Sequence, residues 1–269
     1  MGGPAPGAVL STTSATALRV IAAEAARAAG ELLRERFAGG GARATGSKSS
    51  QTDPVSEADV AAEQAIRELL ALRRPGDAIL GEEGGETQEG EGLRWIVDPL
   101  DGTVNFLFGV PQWCVSVAVY DDEGGLAGVV FDPLRNEIFA AERGGPATLN
   151  GSPMRPSTAD DLATSLVATG FAYGADVRAA QAAVVARVLP RVRDVRRMGS
   201  AALDPAWTAA GRYDAFYERG VQVWDTAAGS VLCECAGLTV RELEAAGELP
   251  SGIVVAPAGL IDPVLALVG

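Results

Sequence analysis

Two stretches near the start of the chain carry apolar residues at helical spacing. In residues 16–37 the predicted inner stripe consists of Leu18, Ile21, Ala25, Ala28 and Leu32. In residues 56–72 it consists of Ala62, Ile66, Leu69 and Leu70. Recurrence at every third or fourth position is typical of an amphipathic helix, so we predict a helix over each stretch. Ser56 fits the N-cap of the second helix, with Asp59 as its capping-box partner.

Short apolar runs follow, separated by clusters of turn-forming residues. The predicted strands are residues 78–80, 94–97, 115–120, 126–131 and 137–141. Apolar runs of this length, bounded by Gly, Pro, Asn and Asp, are typical of strands. We expect an antiparallel meander backed by the two helices.

Beyond residue 157 the pattern alternates between strands and helices. The predicted strands are 165–170, 192–198, 213–217, 238–240 and 253–255, and the predicted helices are 177–189, 201–210, 226–236 and 260–268. This alternation favours a layered α/β architecture. We divide the chain into a flexible tail (1–15), an N-terminal α+β lobe (16–150) and a C-terminal α/β lobe (151–269).

Composition limits the classes of function. The chain has 269 residues and is 48% hydrophobic, which suffices for one large domain or two packed lobes. A net charge of −13 repels nucleic acid phosphates, so we expect no nucleic acid partner. The chain contains no histidine, which excludes Ser-His-Asp catalysis and histidine-ligated zinc. Acid–base chemistry must therefore use carboxylates, hydroxyls or metal-bound water.

Cysteine content and hydrophobicity bear on location. Cys114, Cys233 and Cys235 cannot all pair, and we interpret them as buried thiols in a reducing cytosol. No apolar run reaches the length of a membrane span, and the first residues lack the features of a signal peptide. We therefore predict a cytoplasmic protein with no membrane association.

The most informative motif begins where an apolar strand leads into Asp98 and Asp101. Pro99 cannot donate a ladder hydrogen bond, so we expect the strand to stop there. The following turn can direct both aspartates toward one point, and carboxylates are hard oxygen ligands that suit Mg²⁺. The amides of Gly102 and Thr103 open the next segment, and such a terminus accepts phosphate. The motif therefore predicts phosphoryl chemistry.

Other acidic residues are ambiguous when taken singly. Glu82 and Glu83 follow a strand, where they can bind a cation or form a solvated acidic turn. Asp225 precedes a predicted helix, where it can be an N-cap or a metal ligand. Asp53 precedes a proline, where it can be an ordinary turn residue. Together they meet the needs of phosphate ester hydrolysis with two Mg²⁺ ions about 3.5–4 Å apart.

These motifs resemble those of the inositol monophosphatase family of Mg²⁺-dependent, lithium-sensitive phosphatases. The matching segments are 53–59, 81–83, 95–106, 197–202, 209–214, 216–218 and 224–229. They occur in the family's order and extend the resemblance over residues 48–237. The resemblance implies an α/β (α+β) fold, an alternating αβαβα layered sandwich like that of inositol monophosphatase and fructose-1,6-bisphosphatase.

The resemblance also implies roles for individual residues. The implied ligands of the first ion are Glu82, Asp98 and the Leu100 carbonyl; those of the second are Asp98, Asp101 and Asp225; those of a weaker third are Glu82 with Asp53 or Glu83. The predicted catalytic residues are Glu82, Thr103 and Asp53, with Thr103 positioning the water and Glu82 binding its metal or accepting its proton. The amides of Gly102 and Thr103 would bind phosphate. The implied lining of the alcohol pocket is Asp101, Gly199, Ser200, Ala201, Glu218 and Asp225.

From this resemblance we expect hydrolysis of myo-inositol monophosphate by in-line attack of metal-activated water, with roughly two to three Mg²⁺ ions per site. The N-terminal lobe would carry most metal ligands, and the C-terminal lobe would close the cleft. The same chemistry on histidinol phosphate, fructose-1,6-bisphosphate or a 3′-phosphoadenosine nucleotide is the alternative. A non-catalytic regulatory binding module is a further alternative. The family also implies a homodimer and inhibition by lithium.

Overall fold

A computed structural model describes residues 14–38, 57–87 and 92–269. Its helices are α1 Ala15–Ala38, α2 Glu57–Arg73, α3 Thr103–Leu107, α4 Ala175–Val188, α5 Leu203–Ala209, α6 Val223–Ala236 and α7 Ile261–Val268. The strands of its first half are β1 Ala78–Gly81, β2 Gly85–Thr87, β3 Arg94–Asp101, β4 Cys114–Asp121, β5 Gly124–Asp132, β6 Glu137–Glu142, β7 Thr148–Leu149 and β8 Ser152–Pro153. Those of its second half are β9 Leu166–Thr169, β10 Asp194–Arg196, β11 Ala215–Arg219, β12 Thr239–Leu243 and β13 Gly252–Ala256.

The first sheet has the strand order β2-β1-β3-β4-β5-β6-β7-β8. The predicted antiparallel meander is confirmed for β3 to β6. It is wrong for β1 and β3, which are parallel. The physical reason is β2, a short strand that the sequence did not predict. It pairs antiparallel with β1 and turns the chain back before β3 begins on the other side of β1.

Strand β3 also continues past its predicted end. It runs to Asp101, and its register with β4 shifts between Asp98 and Asp101. Pro99 lies inside this irregularity, where its missing N–H costs no ladder hydrogen bond. The Asp98 carboxylate accepts the Leu100 N–H at 3.0 Å, which supports the chain across the proline.

The central strands alternate between two apolar cores. Trp95 and Val97 of β3 belong to the core under α1 and α2, whereas Ile96 between them belongs to the core under α5 and α6. The same period of two continues along β4 and β5, as side chains of a strand point to opposite faces. A sheet that is buried on both faces explains why these strands have apolar residues at consecutive positions.

Layers of helix and sheet alternate through the molecule. α1 and α2 cover the outer face of the first sheet, and α5 and α6 pack between this sheet and the second sheet. The second sheet has the order β10-β9-β11-β13-β12, and α4 and α7 cover its far face. The predicted αβαβα sandwich is confirmed. The division into lobes at residue 150 remains our proposal, and most of the predicted tail lies outside the described residues.

The inner stripe of α1 differs slightly from the predicted one. Leu18, Ile21 and Ala25 are buried as predicted, but Ala28 is exposed. Ala29 and Leu33 take the inner positions instead, because they follow Ala25 at intervals of four residues.

Two further predictions can be compared with the described part of the chain. No helix there is both long enough and apolar enough to cross a bilayer. All three cysteines are free; Cys114 and Cys233 are buried, and Cys235 is partly buried.

Helix α6 approaches β5 closely at Gly128. A Cβ atom at this position would lie 2.7 Å from the Ala228 carbonyl oxygen and 3.0 Å from the Val231 Cβ. Both are atoms of the facing helix that cannot rotate away. Glycine therefore permits the contact between the first sheet and α6.

We predict that Gly128→Ala lowers the free energy of unfolding by about 1–3 kcal/mol, the usual cost of overpacking a core. Gly76→Ala is the matched control, because a Cβ at Gly76 would meet nothing within 4 Å. Urea unfolding of both variants measures the difference. Equal stabilities of the two variants would show that α6 can shift to accept the methyl group.

Candidate active site

Three aspartates converge at the end of β3. Asp98, Asp101 and Asp225 each place one carboxylate oxygen within 4.8 Å of the others. Asp98 and Asp101 come from the irregular end of β3, and Asp225 comes from the first turn of α6. They meet because α6 packs across the face of the first sheet. The sequence-predicted ligands of the second ion are thus brought together.

The Asp101 carboxylate is held by donors from the segment before α5. One oxygen accepts the Ala201 N–H and the other accepts the Ala202 N–H, each at 2.9 Å. The Ser200 hydroxyl and the Cys114 thiol also donate to it. Ser200 was predicted to line the alcohol pocket; it is buried, and its hydroxyl donates to Asp101.

Asp225 belongs both to the N-terminal cap of α6 and to the cluster of three aspartates. The predicted N-cap position for it is wrong, because α6 begins at Val223 and Gln222 is the N-cap. Asp225 is the third helical residue and accepts the Gln222 N–H at 2.6 Å, which completes a capping box. The same carboxylate also offers one oxygen within 4.8 Å of those of Asp98 and Asp101. Capping and metal binding are therefore compatible at this residue.

One cavity of about 320 Å³ contains most of the predicted site residues. They are Glu82, Asp98, Leu100, Asp101, Gly102, Thr103, Gly199, Ala201, Glu218 and Asp225. Phe171, Tyr173 and Arg197 line the same cavity and were not predicted. A larger concavity of about 510 Å³ between α6 and β12–β13 contains none of the predicted site residues. The smaller cavity is therefore the one that brings the predicted site residues together.

Gly102 and Gly199 have backbone conformations that only glycine adopts easily. Their φ angles are +93° and +87°. A Cβ on Gly102 would lie 2.9 Å from the Gln112 carbonyl, and one on Gly199 would lie 2.5 Å from the Arg197 guanidinium. Both glycines thus let the backbone pass close to neighbouring groups at the wall of the cavity.

The site has an acidic residue that the sequence analysis assigned only to helix capping. Asp59 is buried on α2, and its Oδ2 lies 3.4 Å from the Thr103 hydroxyl. The same hydroxyl lies 3.0 Å from the Leu100 carbonyl oxygen. Asp53, which was predicted to be catalytic, lies outside the described residues. Its position along the helix could have identified Asp59 as a candidate site residue. It lies on the inner stripe of α2, where a carboxylate is unusual.

Asn105 is a second residue that the sequence analysis missed. Its side-chain amide donates to the carbonyl oxygens of Gln112 at 2.7 Å and Met198 at 2.9 Å. It thereby ties α3 to the loop that carries Gly199. This amide joins the two sequence regions that form opposite walls of the cavity.

Burial and mutual repulsion raise the pKa values of the site carboxyls. Burial, and then Asp101, raise the pKa of Asp225 to about 7. Burial, and then Asp225, raise the pKa of Glu218 to about 8. The pKa values of Asp98 and Asp59 are also raised by burial and by Glu82. These groups repel one another because they are close together in a region of low dielectric.

The donor set fits a divalent cation. Arg197 is the one basic side chain among the described residues that line the cavity, so the carboxylates lack matching positive charge. All the candidate ligand atoms are oxygens, which is the preference of Mg²⁺. Bound cations would remove the repulsion that raises these pKa values.

The comparisons with known proteins establish the family and the fold of the chain. The sequence model of the inositol monophosphatase family matches residues 15–266. The chain is 45% identical over 240 residues to an inositol-1-monophosphatase of Mycobacterium leprae, covering 85% of this chain and 82% of the relative. It is 42% identical over 224 residues to the Escherichia coli protein named Nus factor SuhB, covering 82% and 84%. The crystal structure of the extragenic suppressor protein suhB from Bartonella henselae superposes with a TM-score of 0.85 at 33% identity, covering 94% and 98%.

We predict that the metal-free protein loses stability as the pH rises from about 6 to about 8.5. Asp225 and Glu218 have folded pKa values of about 7 and about 8, whereas carboxyls of unfolded chains titrate near 4. Over this range the folded state binds more protons than the unfolded state, so the free energy of unfolding falls with rising pH. A loss of ~1 kcal/mol lowers Tm by about 2–4 °C in a chain of this size.

Thermal unfolding in the presence of a chelator measures this effect. Added Mg²⁺ competes with the protons, so it should raise Tm more at about pH 8.5 than at about pH 6. A metal-free Tm that increases over this range would contradict the assignment of buried, proton-binding carboxyls.

Proposed function

We propose that this chain, which belongs to the inositol monophosphatase family, is a Mg²⁺-dependent phosphatase that hydrolyses myo-inositol monophosphate to inositol and phosphate. The observation that carries the proposal is the convergence of Asp98, Asp101 and Asp225 in one cavity. Bringing carboxylates from distant segments together without cationic partners costs free energy of desolvation and repulsion. Binding a metal ion offsets that cost.

Two groups of residues would hold the metal ions. Glu82, Asp98 and the Leu100 carbonyl would bind the first ion, and Asp98, Asp101 and Asp225 would bind the second. Glu82, with Asp53 or Glu83, would bind a weaker third, and Asp59 beside Thr103 is a further candidate ligand. Bound Mg²⁺ would lower the pKa of water and stabilise charge on the leaving oxygen.

Thr103 and Asp59 would prepare the attacking water. The Thr103 hydroxyl lies between the Asp59 carboxylate and the Leu100 carbonyl, so it can donate to one of them and accept a hydrogen bond from water. Asp59 has a raised pKa and can accept a proton more readily than an ordinary aspartate. We therefore give Asp59 the proton-accepting role for which the sequence analysis named Glu82, and leave Glu82 as a metal ligand.

The far wall of the cavity would bind the alcohol. Glu218 lies there among Gly199 and Ala201, and its carboxyl can accept or donate hydrogen bonds to hydroxyl groups. The amides of Gly102 and Thr103 would bind the phosphate at the opposite end. A polyol phosphate matches this arrangement of polar groups.

A specific observation keeps a nucleotide substrate in consideration. Phe171 and Tyr173 line the cavity, and the Arg197 guanidinium lies 5.7 Å from the centre of the Phe171 ring. An aromatic ring and an arginine can stack on an adenine base. Histidinol phosphate and fructose-1,6-bisphosphate remain further alternatives, because the metal ligands act on the phosphate and not on the alcohol.

Relatives named Nus factor SuhB favour a second class of function, a regulatory binding role. This role does not require turnover, so loss of a site carboxylate would favour it. Here Glu82, Asp98, Asp101 and Asp225 are all present in the cavity. We therefore propose catalysis as the primary function. From the family and the sequence analysis we also propose that the enzyme is a cytoplasmic homodimer.

A panel of phosphate esters tests the proposal. Phosphate release is measured with and without Mg²⁺ for myo-inositol monophosphate, histidinol phosphate, fructose-1,6-bisphosphate and a 3′-phosphoadenosine nucleotide. The highest kcat/KM is expected for myo-inositol monophosphate. Absence of Mg²⁺-dependent release from every ester would overturn the proposal.

Asp98→Asn is the matched inactive variant for this panel. Its amide oxygen can still accept the Leu100 N–H, so the turn should be preserved. Asp101→Asn is less suitable, because donors face both Asp101 oxygens and one of them would meet the new NH₂ group. Loss of a metal ligand should lower kcat by about 10²-fold or more, which is roughly 3 kcal/mol of transition-state stabilisation. Circular dichroism checks that the variant is folded.

Thr103→Val tests the preparation of the water. The substitution keeps the branched shape and removes the hydroxyl between Asp59 and Leu100, so kcat should fall by about 10²-fold with little change in KM. Thr103→Ser keeps the hydroxyl and should retain most activity. Steady-state kinetics of the two variants make the comparison, and a valine variant with parental kcat would exclude the role.

A further inference from the structure

We propose that Glu63 and Arg67 of α2 form a brace that positions Glu82 for metal binding. The brace consists of these two side chains and of the turn 81–85 that they hold. This inference rests on the proposed function, because it concerns the affinity of the site for Mg²⁺. Both residues lie outside the cavity, so they act through the backbone of the turn and do not touch substrate.

Glu63 satisfies two neighbouring amides of the turn. Its Oε2 accepts the Glu83 N–H and its Oε1 accepts the Gly84 N–H, both at 2.8 Å. The Glu63 side chain is only 4% exposed. One buried carboxylate therefore fixes the backbone directly after Glu82, as charge-assisted hydrogen bonds are short and strong.

Arg67 completes the brace one helical turn later. Its Nε donates to Glu63 Oε1 at 2.7 Å, and its Nη2 donates to the Gly85 carbonyl at 2.7 Å. The guanidinium both neutralises Glu63 and holds the next peptide group of the turn. Amide and carbonyl groups over three consecutive residues thus depend on one pair of side chains.

The glycines of the turn show how closely it lies against Glu63. A Cβ on Gly81 would lie 2.6 Å from the Glu63 carboxyl, and one on Gly84 would lie 2.7 Å from Glu63 Oε1. Gly81 and Gly84 enclose the Glu82–Glu83 pair on both sides. The pattern Gly-Glu-Glu-Gly is therefore explained by the brace: glycines allow the approach, and Glu82 extends from the fixed backbone into the cavity.

Helix stabilisation alone does not account for this arrangement. An exposed pair at the same spacing in α2, Gln64 with Glu68, forms a hydrogen bond within the helix and bonds to no other element of the described part of the chain. A buried carboxylate close to the acidic cavity adds repulsion, which would be avoided if the residue only supported the helix. Glu63 offsets this cost by ordering the turn before the metal arrives. Groups that orient a ligand from behind typically change metal affinity by about 10–100-fold.

The test measures Mg²⁺ binding by isothermal titration calorimetry on the metal-free full chain, and activation of phosphate release by Mg²⁺. Glu63→Gln removes one acceptor and should weaken Mg²⁺ binding by about 10–100-fold. The Mg²⁺ concentration for half-maximal activity should rise similarly, while kcat at saturating Mg²⁺ stays near that of the parent. A general loss of structure would instead lower kcat at every Mg²⁺ concentration.

Two other variants make the test specific. Gly84→Ala keeps every charge but forces the turn away from Glu63, so it should weaken Mg²⁺ binding in the same way. Glu68→Gln is the matched control for the change of charge in α2 and should bind Mg²⁺ like the parent. Parental affinity in both Glu63→Gln and Gly84→Ala would overturn the brace.

Asp98→Asn separates this inference from the proposed function. If Asp98→Asn loses Mg²⁺ binding while the brace variants keep parental affinity, the metal site stands and the brace is rejected. If Asp98→Asn also binds Mg²⁺ like the parent, the proposed metal site itself is rejected, and the brace with it.

Discussion

Repulsion among buried carboxylates is the constraint on which the rest of this structure depends. Asp98, Asp101 and Asp225 meet in one cavity, where burial raises the pKa of all three and neighbouring carboxylates raise the pKa of Asp98 and Asp225 further. Such a cluster opposes folding unless protons or cations neutralise it. The protein therefore needs rigid support from its surroundings to keep the cluster assembled before an ion arrives.

That support follows one principle at three places. Asp101 is held by the amides of Ala201 and Ala202, and Asp225 is held by the amide of Gln222. The turn that carries Glu82 is held by the Glu63 carboxylate, which accepts two N–H groups of the turn and, in our proposal, thereby positions Glu82. In each case hydrogen bonds to backbone N–H groups fix either the carboxylate or the backbone that carries it. One oxygen of each aspartate still lies within 4.8 Å of the other two, and such pre-positioned ligands are the condition for pre-organised metal binding.

The layered fold makes this arrangement possible. The end of β3 supplies two aspartates, and α6 brings the third because it packs between the two sheets. Asn105 then ties α3 to the loop before α5, so both walls of the cavity share one hydrogen-bonded frame. Phe171, Tyr173 and Arg197 line the same cavity as the carboxylates, where they can contribute to the choice of alcohol.

The sequence alone determined the layers, most of the element boundaries and the carboxylates of the cavity, because periodicity and short motifs are local properties of the chain. It did not determine that β1 and β3 are parallel or that β3 continues past Pro99, as both depend on pairing between strands. It also placed Asp59 in a helix cap, whereas the tertiary structure placed it beside Thr103. Asp59 and Thr103 are far apart in the sequence and meet only when α2 packs on the first sheet. A local sequence pattern cannot encode such a contact, because it depends on how distant segments pack.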